Sequence, residues 1–175
     1  MARLIKRRKP KDTIKKFETV AEHKYQAGLS LVDAGDSHTG VEQLAFAAEM
    51  WLKSAYFRFM KRRVGLARTT SEITTRHLRD AATEGVTLGV IATVPDAESY
   101  HSLLFWARLL AAQRRRHSLP LAAQIEGDLL AHVGQLHRMW MIEHRYQPVE
   151  YDYSDVLPMQ ASVTWLRGHH GQLWR

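Results

Sequence analysis

The sequence predicts an all-α protein, a helical bundle of five to six helices. Three observations predict it. Along the clearest segment apolar residues recur with a period of 3.6, at Val41, Leu44, Ala45, Ala48, Trp51, Leu52, Ala55 and Phe59. No hairpin turn signal and no sustained alternation of period two occurs. The length, 175 residues with 45 % hydrophobic side chains, suits one domain with a substantial core.

Each element follows from local signals. A first helix is expected over about residues 13–34. Asp12 or Thr13 caps it, Phe17, Val20, Ala21, Leu29 and Val32 form its stripe, and Gly35 ends it. The second runs over about 40–64, from Thr39 to a stop at Gly65, and its last turn, Lys61-Arg62-Arg63, complements the negative end of the helix dipole. Thr70-Ser71-Glu72 opens a third, which Gly85 stops. The apolar run 86–94 looks like a strand, but a glycine interrupts it and it has no partner, so it reads as a connector or irregular helix. A fourth helix starts near Pro95-Asp96 and ends in Arg114-Arg115-Arg116-His117. A fifth starts at Ser118 and Pro120 and ends by Tyr146, before Pro148. Residues 147–157 read as an acidic, aromatic linker, and Pro158 opens a terminal helix to Gly168. Heptads do not persist, so a coiled coil is not expected.

The charge is unevenly placed. Residues 1–16 contain Arg3, Lys6, Arg7, Arg8, Lys9, Lys11, Lys15 and Lys16 against Asp12 alone, which equals the whole net charge of +7. The division expected is therefore a basic arm, residues 1–16, and a nearly neutral helical domain, residues 17–175. Such an arm suits a phosphate backbone, although a solvated tail has the same composition. Two further clusters sit at expected helix ends. Arg58, Lys61, Arg62, Arg63 and Arg68 lie beside Tyr56, Phe57 and Phe59, and Arg114, Arg115 and Arg116 precede His117. Cations interleaved with aromatics can hold phosphates and stack on bases, but the same residues also describe a charged helix end above ordinary core aromatics. Glu143, Glu150, Asp152 and Asp155 make an opposing acidic stretch that would suit a basic protein.

Several classes are excluded. The 175 residues contain no cysteine, hence no disulfide scaffold, thiolate zinc site or thiol nucleophile. No apolar run approaches a membrane span, and Leu4-Ile5 is followed at once by basic residues, so no signal peptide, no membrane and a cytoplasmic location are expected. Phosphate-loop, dinucleotide-binding and Gly-x-Ser-x-Gly motifs are missing. The ten histidines include no His-Glu-x-x-His, so neither a metal nor a cofactor is expected. Glu49 and Lys53, spaced i and i+4, read as a helix ion pair.

The run from Ala27 to Asp36, followed by Gln43 to Ala55, resembles the opening of HEPN domains: a helix ending in a leucine-rich glycine turn, then a helix carrying an "ala-x-glu-x-x-leu-lys-ala" pattern. Arg76-His77-Leu78-Arg79-Asp80 looks like a later segment of that family, without its aspartate after the histidine. Arg138 and His144, with Tyr146 two residues on, are similar to the family's arginine–histidine motif. The resemblance covers roughly residues 17–170. It implies an RNA-binding helical bundle of a defence or toxin–antitoxin system, working as a homodimer or in a protein assembly. It also implies a metal-independent endoribonuclease centre at Arg138, His144 and Tyr146.

Chemically, Arg can clamp a phosphate and His can exchange protons near neutral pH. Six positions on one helix place Arg138 and His144 about 240° and about 9 Å apart, so they would converge only across a dimer or where the helix unwinds. Met139 stands where the nucleases carry a polar residue, and Arg145-Tyr146-Gln147-Pro148 is closer to a branch without nuclease activity. A non-catalytic subunit that grips nucleic acid through its arm is the alternative.

Overall fold

The computed structural model describes residues 13–64, 73–91, 100–140 and 151–175. Its six helices are α1 (Ile14–Asp33), α2 (Ser37–Val64), α3 (Thr75–Thr87), α4 (Leu103–Arg116), α5 (Ala123–Met139) and α6 (Tyr153–Trp174), and there is no strand among the described residues. The helical bundle is therefore as expected from the periodicity.

The longest helix, α2, is the centre. It packs against α1, α4 and α6, while α5 joins α4 to α6 and α3 leans on α4. Val41, Leu44, Ala48, Trp51, Leu52, Ala55, Tyr56, Phe59 and Met60 are all buried, so α2 is covered around most of its circumference. From α4, Leu103, Phe105, Trp106, Leu109 and Leu110 fill the space beside it, and α6 adds Val156, Met159, Val163 and Leu166. Removing one such large side chain, Phe59 or Trp106, would cost about 3–5 kcal/mol.

α1 and α2 form a hairpin whose axes come close at two glycines. A Cβ on Gly40 would lie 2.5 Å from Val32 Cγ2, and one on Gly28 would lie 2.8 Å from Leu44 Cγ. Three helices end in the same way. After α1, α3 and α4 the chain turns through a left-handed residue, Gly35 (φ 89°), Gly89 (φ 69°) and Ser118 (φ 56°) respectively. In each case two backbone bonds close the turn: Gly35 to Val32 and Asp36 to Leu31, Gly89 to Val86 and Val90 to Gly85, Ser118 to Arg115 and Leu119 to Arg114.

These turns explain several shifted boundaries. Gly85 does not stop α3; it is a helical residue whose missing Cβ makes room for Phe105, 2.6 Å from where that carbon would be. Gly89 is the stop instead. Ser118 ends α4 and does not open α5, which begins at Ala123. α2 begins at Ser37, because Asp36 caps it by accepting from Thr39 N–H at 3.1 Å. α4 begins at Leu103, capped by Ser102, which accepts from Phe105 N–H at 3.1 Å. α3 begins at Thr75 behind Thr74. The expected starts at Thr70-Ser71-Glu72 and Pro95-Asp96 lie outside the described residues.

Two corrections are larger. α5 ends at Met139, well short of Tyr146, because Trp140 adopts an extended conformation and buries its ring against Phe46, with centroids 6.2 Å apart. α6 starts at Tyr153, before Pro158, and continues past Gly168 to Trp174. Val156, Met159, Val163, Leu166 and Leu173 form one buried stripe over that length, and their packing outweighs the donor lost at Pro158. Among the described residues no helix is long and apolar enough to cross a membrane.

Candidate nucleic-acid interface

The first turn of α1, the last turns of α2 and the end of α6 meet around a groove of about 560 Å³. It is lined by Thr13, Ile14, Lys15, Arg58, Lys61, Arg62 and Trp174. The end of the arm and the basic end of α2, far apart in sequence, are thus one feature. Lys15 and Lys16 belong to α1 and not to an extended arm.

Three things set the charge of the groove. Lys15, Lys61 and Arg62 have no ion-pair partner among the described residues. Arg58 is neutralised: its guanidinium forks onto Glu18, with Nε donating to Oε1 at 2.6 Å and a terminal nitrogen donating to Oε2. The N-terminus of α1 brings partial positive charge to the same place, with no acid in its first turn, while the C-terminal ends of α2 and α6 bring partial negative charge that the cations outweigh. The groove therefore has a surplus of about three cations.

Trp174 organises these cations. The guanidinium carbons of Arg58, Arg62 and Arg175 lie 5.0, 5.8 and 5.6 Å from its ring centroid. Cation–π contacts hold guanidinium groups against a ring, and an N–H edge left free matches phosphate oxygens. Tyr56, Phe57 and Phe59 take no part: all three are buried in the core, which corrects the idea that they could stack on bases.

The second basic cluster is spent internally. Arg114 is 7 % exposed, donates from a terminal nitrogen to the Leu173 carbonyl at 3.0 Å, and lies over the Phe59 ring. Arg115 pairs with Glu126, and Arg116 donates to Glu84 at 2.8 Å. The sequence placed Arg114 among phosphate ligands; burial removes it, because its job is to tie the end of α6 to α4.

Of the expected catalytic set, Arg138 is exposed in the last turn of α5, beside a cavity of about 440 Å³ lined also by Gln135, Met139, Tyr151, Ser154, Asp155 and Pro158. Tyr151 reaches back to α5 and donates to the Met139 carbonyl at 3.0 Å. His144 and Tyr146 lie outside the described residues, as do Arg3, Lys6, Arg7, Arg8, Lys9, Lys11, Arg68, Glu143 and Glu150, and the Arg63 side chain. α5 stops at Met139, and the expected spacing from Arg138 to His144 lies outside the described residues.

Two polar groupings are completed by packing in ways the sequence does not show. Glu49 and Lys53 do form the i, i+4 pair, Nζ to Oε1 at 2.6 Å, but inside the protein, at 1 % and 4 % exposure. His101 brings Nδ1 to the same carboxylate, 3.0 and 3.2 Å from its two oxygens. Burial raises the Glu49 carboxyl, yet the His101 hydrogen bond and the Lys53 charge outweigh it and hold the group below its ordinary range. Behind the groove, His170 of α6 lies 2.6 Å from Ser54 Oγ and 3.8 Å from Glu18. No spacing in the sequence links residues 54, 101 and 170 to their partners; only the packing of α2 against α4 and α6 does.

Comparison of the chain with family models, with curated proteins and with solved structures finds no match.

Proposed function

We propose that the chain binds nucleic acid, RNA in the first place, by its phosphate backbone. The observation that supports this most is the convergence of Lys15, Lys61 and Arg62 in one groove without an acidic partner among the described residues. The arm precedes Thr13 directly in sequence, so its six basic residues would extend the track from the groove's edge. Contacts of this kind release counterions and give affinity that falls steeply with salt. They read phosphate and not base.

By the HEPN resemblance this binding would serve a cytoplasmic defence or toxin–antitoxin system, with the chain acting as a homodimer or within an assembly. A helical bundle agrees with that placement. RNA cleavage by Arg138, His144 and Tyr146 would be its catalytic extension, but Met139 beside Arg138 favours binding without cleavage. The alternative, a non-catalytic subunit of a protein assembly, draws on the start of α6, where Tyr153 (62 % exposed) and Leu157 (46 % exposed) stand beside Asp152 and Asp155.

The test is fluorescence anisotropy with a labelled single-stranded RNA, on the full chain and on a chain lacking residues 1–11, which leaves α1 and its Thr13 cap in place. Binding to the full chain that weakens at least tenfold on deletion, with a flatter salt dependence, supports the reading. A full chain that fails to bind at low salt refutes it. Incubation with total RNA, with and without a chelator, separates binding from cleavage: RNA that stays intact under both conditions supports binding alone.

A further inference from the structure

A titratable group outside the groove is linked to its lining through Glu18 and Arg58. His170 is nearly enclosed, with 14 % of its side chain exposed. Its Nε2 lies 2.6 Å from Ser54 Oγ, and that hydroxyl donates its one hydrogen to the Trp51 carbonyl at 3.0 Å. A ring hydrogen on Nε2 lets the hydroxyl accept from it and leaves the lone pair of the neutral ring on Nδ1.

From the ring the chain of contacts leads into the groove. Nε2 is 3.8 Å from Glu18 Oε1, Glu18 is the carboxylate gripped by Arg58, and Arg58 lies on Trp174 in the groove lining. The charged groups facing His170 are Glu18 from α1 and Arg58 from α2. Arg114 of α4 donates to the Leu173 carbonyl, three residues on, and α5 brings His132 to stack on Trp165 with centroids 4.9 Å apart. With the ring neutral, Glu18 and Arg58 cancel. With the ring protonated, one carboxylate is shared by two cations, and the three groups together carry a net positive charge in a poorly screened place.

We propose that proton uptake by His170 tightens the groove's hold on phosphate groups, so that the affinity for a nucleic-acid backbone rises as pH falls. This rests on the anion-binding reading of the groove. The sign follows from linkage: an anion that binds the protonated protein better must also make His170 easier to protonate, by the same factor. Burial outweighs the pull of Glu18 and, with a smaller push from the Arg58 charge, holds the imidazole below its ordinary value of 6.5. The response therefore falls on the acid side of that value. In the same window the neutral, buried ring costs stability, because the unfolded chain takes up the proton first. The device thus gains affinity where the fold gives up a little stability.

The test uses oligo-uridine, whose bases do not titrate between pH 5.0 and 7.5, at constant ionic strength. The full chain is compared with His170→Gln, which keeps an N–H donor for Ser54 but has no proton to gain. Wild type should bind about fivefold more tightly at pH 5.0 than at pH 7.5. The variant should match wild type at pH 7.5 within about twofold and lose most of the pH response. A variant that keeps the full response, or a wild type without one, overturns the proposal. A second reading does not depend on nucleic acid. The His170 ring resonance is titrated by NMR with sodium sulfate replacing chloride at equal ionic strength. Its midpoint should move to higher pH with sulfate, and an unmoved midpoint overturns the coupling. If oligo-uridine fails to bind while sulfate moves the midpoint, the nucleic-acid reading fails and the proton–anion coupling stands.

Discussion

The ends of α2 and α4 look alike in sequence, each a helix closing on a run of arginine and lysine, and the structure gives them opposite uses. At the end of α4, Arg114 is buried on the Leu173 carbonyl, Arg115 meets Glu126 and Arg116 meets Glu84. At the end of α2, Arg58 meets an acid, while Lys61 and Arg62, with no acidic partner among the described residues, face a groove that Lys15 also enters. The lesson is that a charge cluster becomes a binding site through what the fold withholds from it. Partnered cations hold helices together, and unpartnered ones are left to attract an anion from outside.

Lys53, one more cation of α2, extends the comparison inward and gives the largest expected effect. It sits in the core with its charge balanced by Glu49. Glu49→Gln should destabilise the fold by about 3–5 kcal/mol at pH 7, since it leaves a buried ammonium uncompensated. The carboxyl is held below its ordinary value of 4.5, so its contribution is fully present above that pH and is lost as pH falls through its lower value in the folded state. Chemical denaturation at pH 7 and at pH 3.5 should show the gap between wild type and variant narrowing in acid. Arg114→Ala comes next. It should cost about 2–4 kcal/mol in denaturant melts and leave RNA affinity of the folded fraction unchanged, which marks Arg114 as structural.

The groove should behave in the reverse way. Lys61→Glu with Arg62→Glu should leave the melting temperature nearly unchanged and weaken RNA binding by about 10–100-fold, read by anisotropy at fixed salt. The smallest effect belongs to the exposed α4 pairs. Arg115→Gln and Arg116→Gln should each change stability by less than about 1 kcal/mol, because solvent screens both pairs. Neither should alter affinity.

The helices were legible because their apolar stripes are long and regular, α2 most of all. Their ends were legible only where the signal was local. Gly35 ends α1 as expected, but Gly85 and Gly89 are equivalent as letters, and only the Phe105 ring against the first tells which is packed and which turns the chain. Trp140 leaving α5 for Phe46, and Tyr151 reaching back to the Met139 carbonyl, are decisions made by residues from other helices. The site divides in the same way. The basic residues of the groove were visible as clusters. That Glu18 would neutralise Arg58, 40 positions away, that Trp174 would gather three guanidinium groups, and that His170 would stand behind them are facts of helix packing. The same holds for Arg114, whose letter matches its neighbours and whose burial does not.

The measurement that separates the two helix ends most directly is the salt dependence of RNA affinity, taken in parallel on wild type, on Lys61→Gln with Arg62→Gln, and on Arg115→Gln with Arg116→Gln. For single-stranded RNA each lost phosphate contact should flatten the slope of log affinity against log salt by about 0.7. The groove pair should therefore lower it by about 1.4 and the α4 pair should leave it unchanged. Equal flattening by both pairs, or flattening by the α4 pair alone, would contradict the assignment of the groove as the anion site.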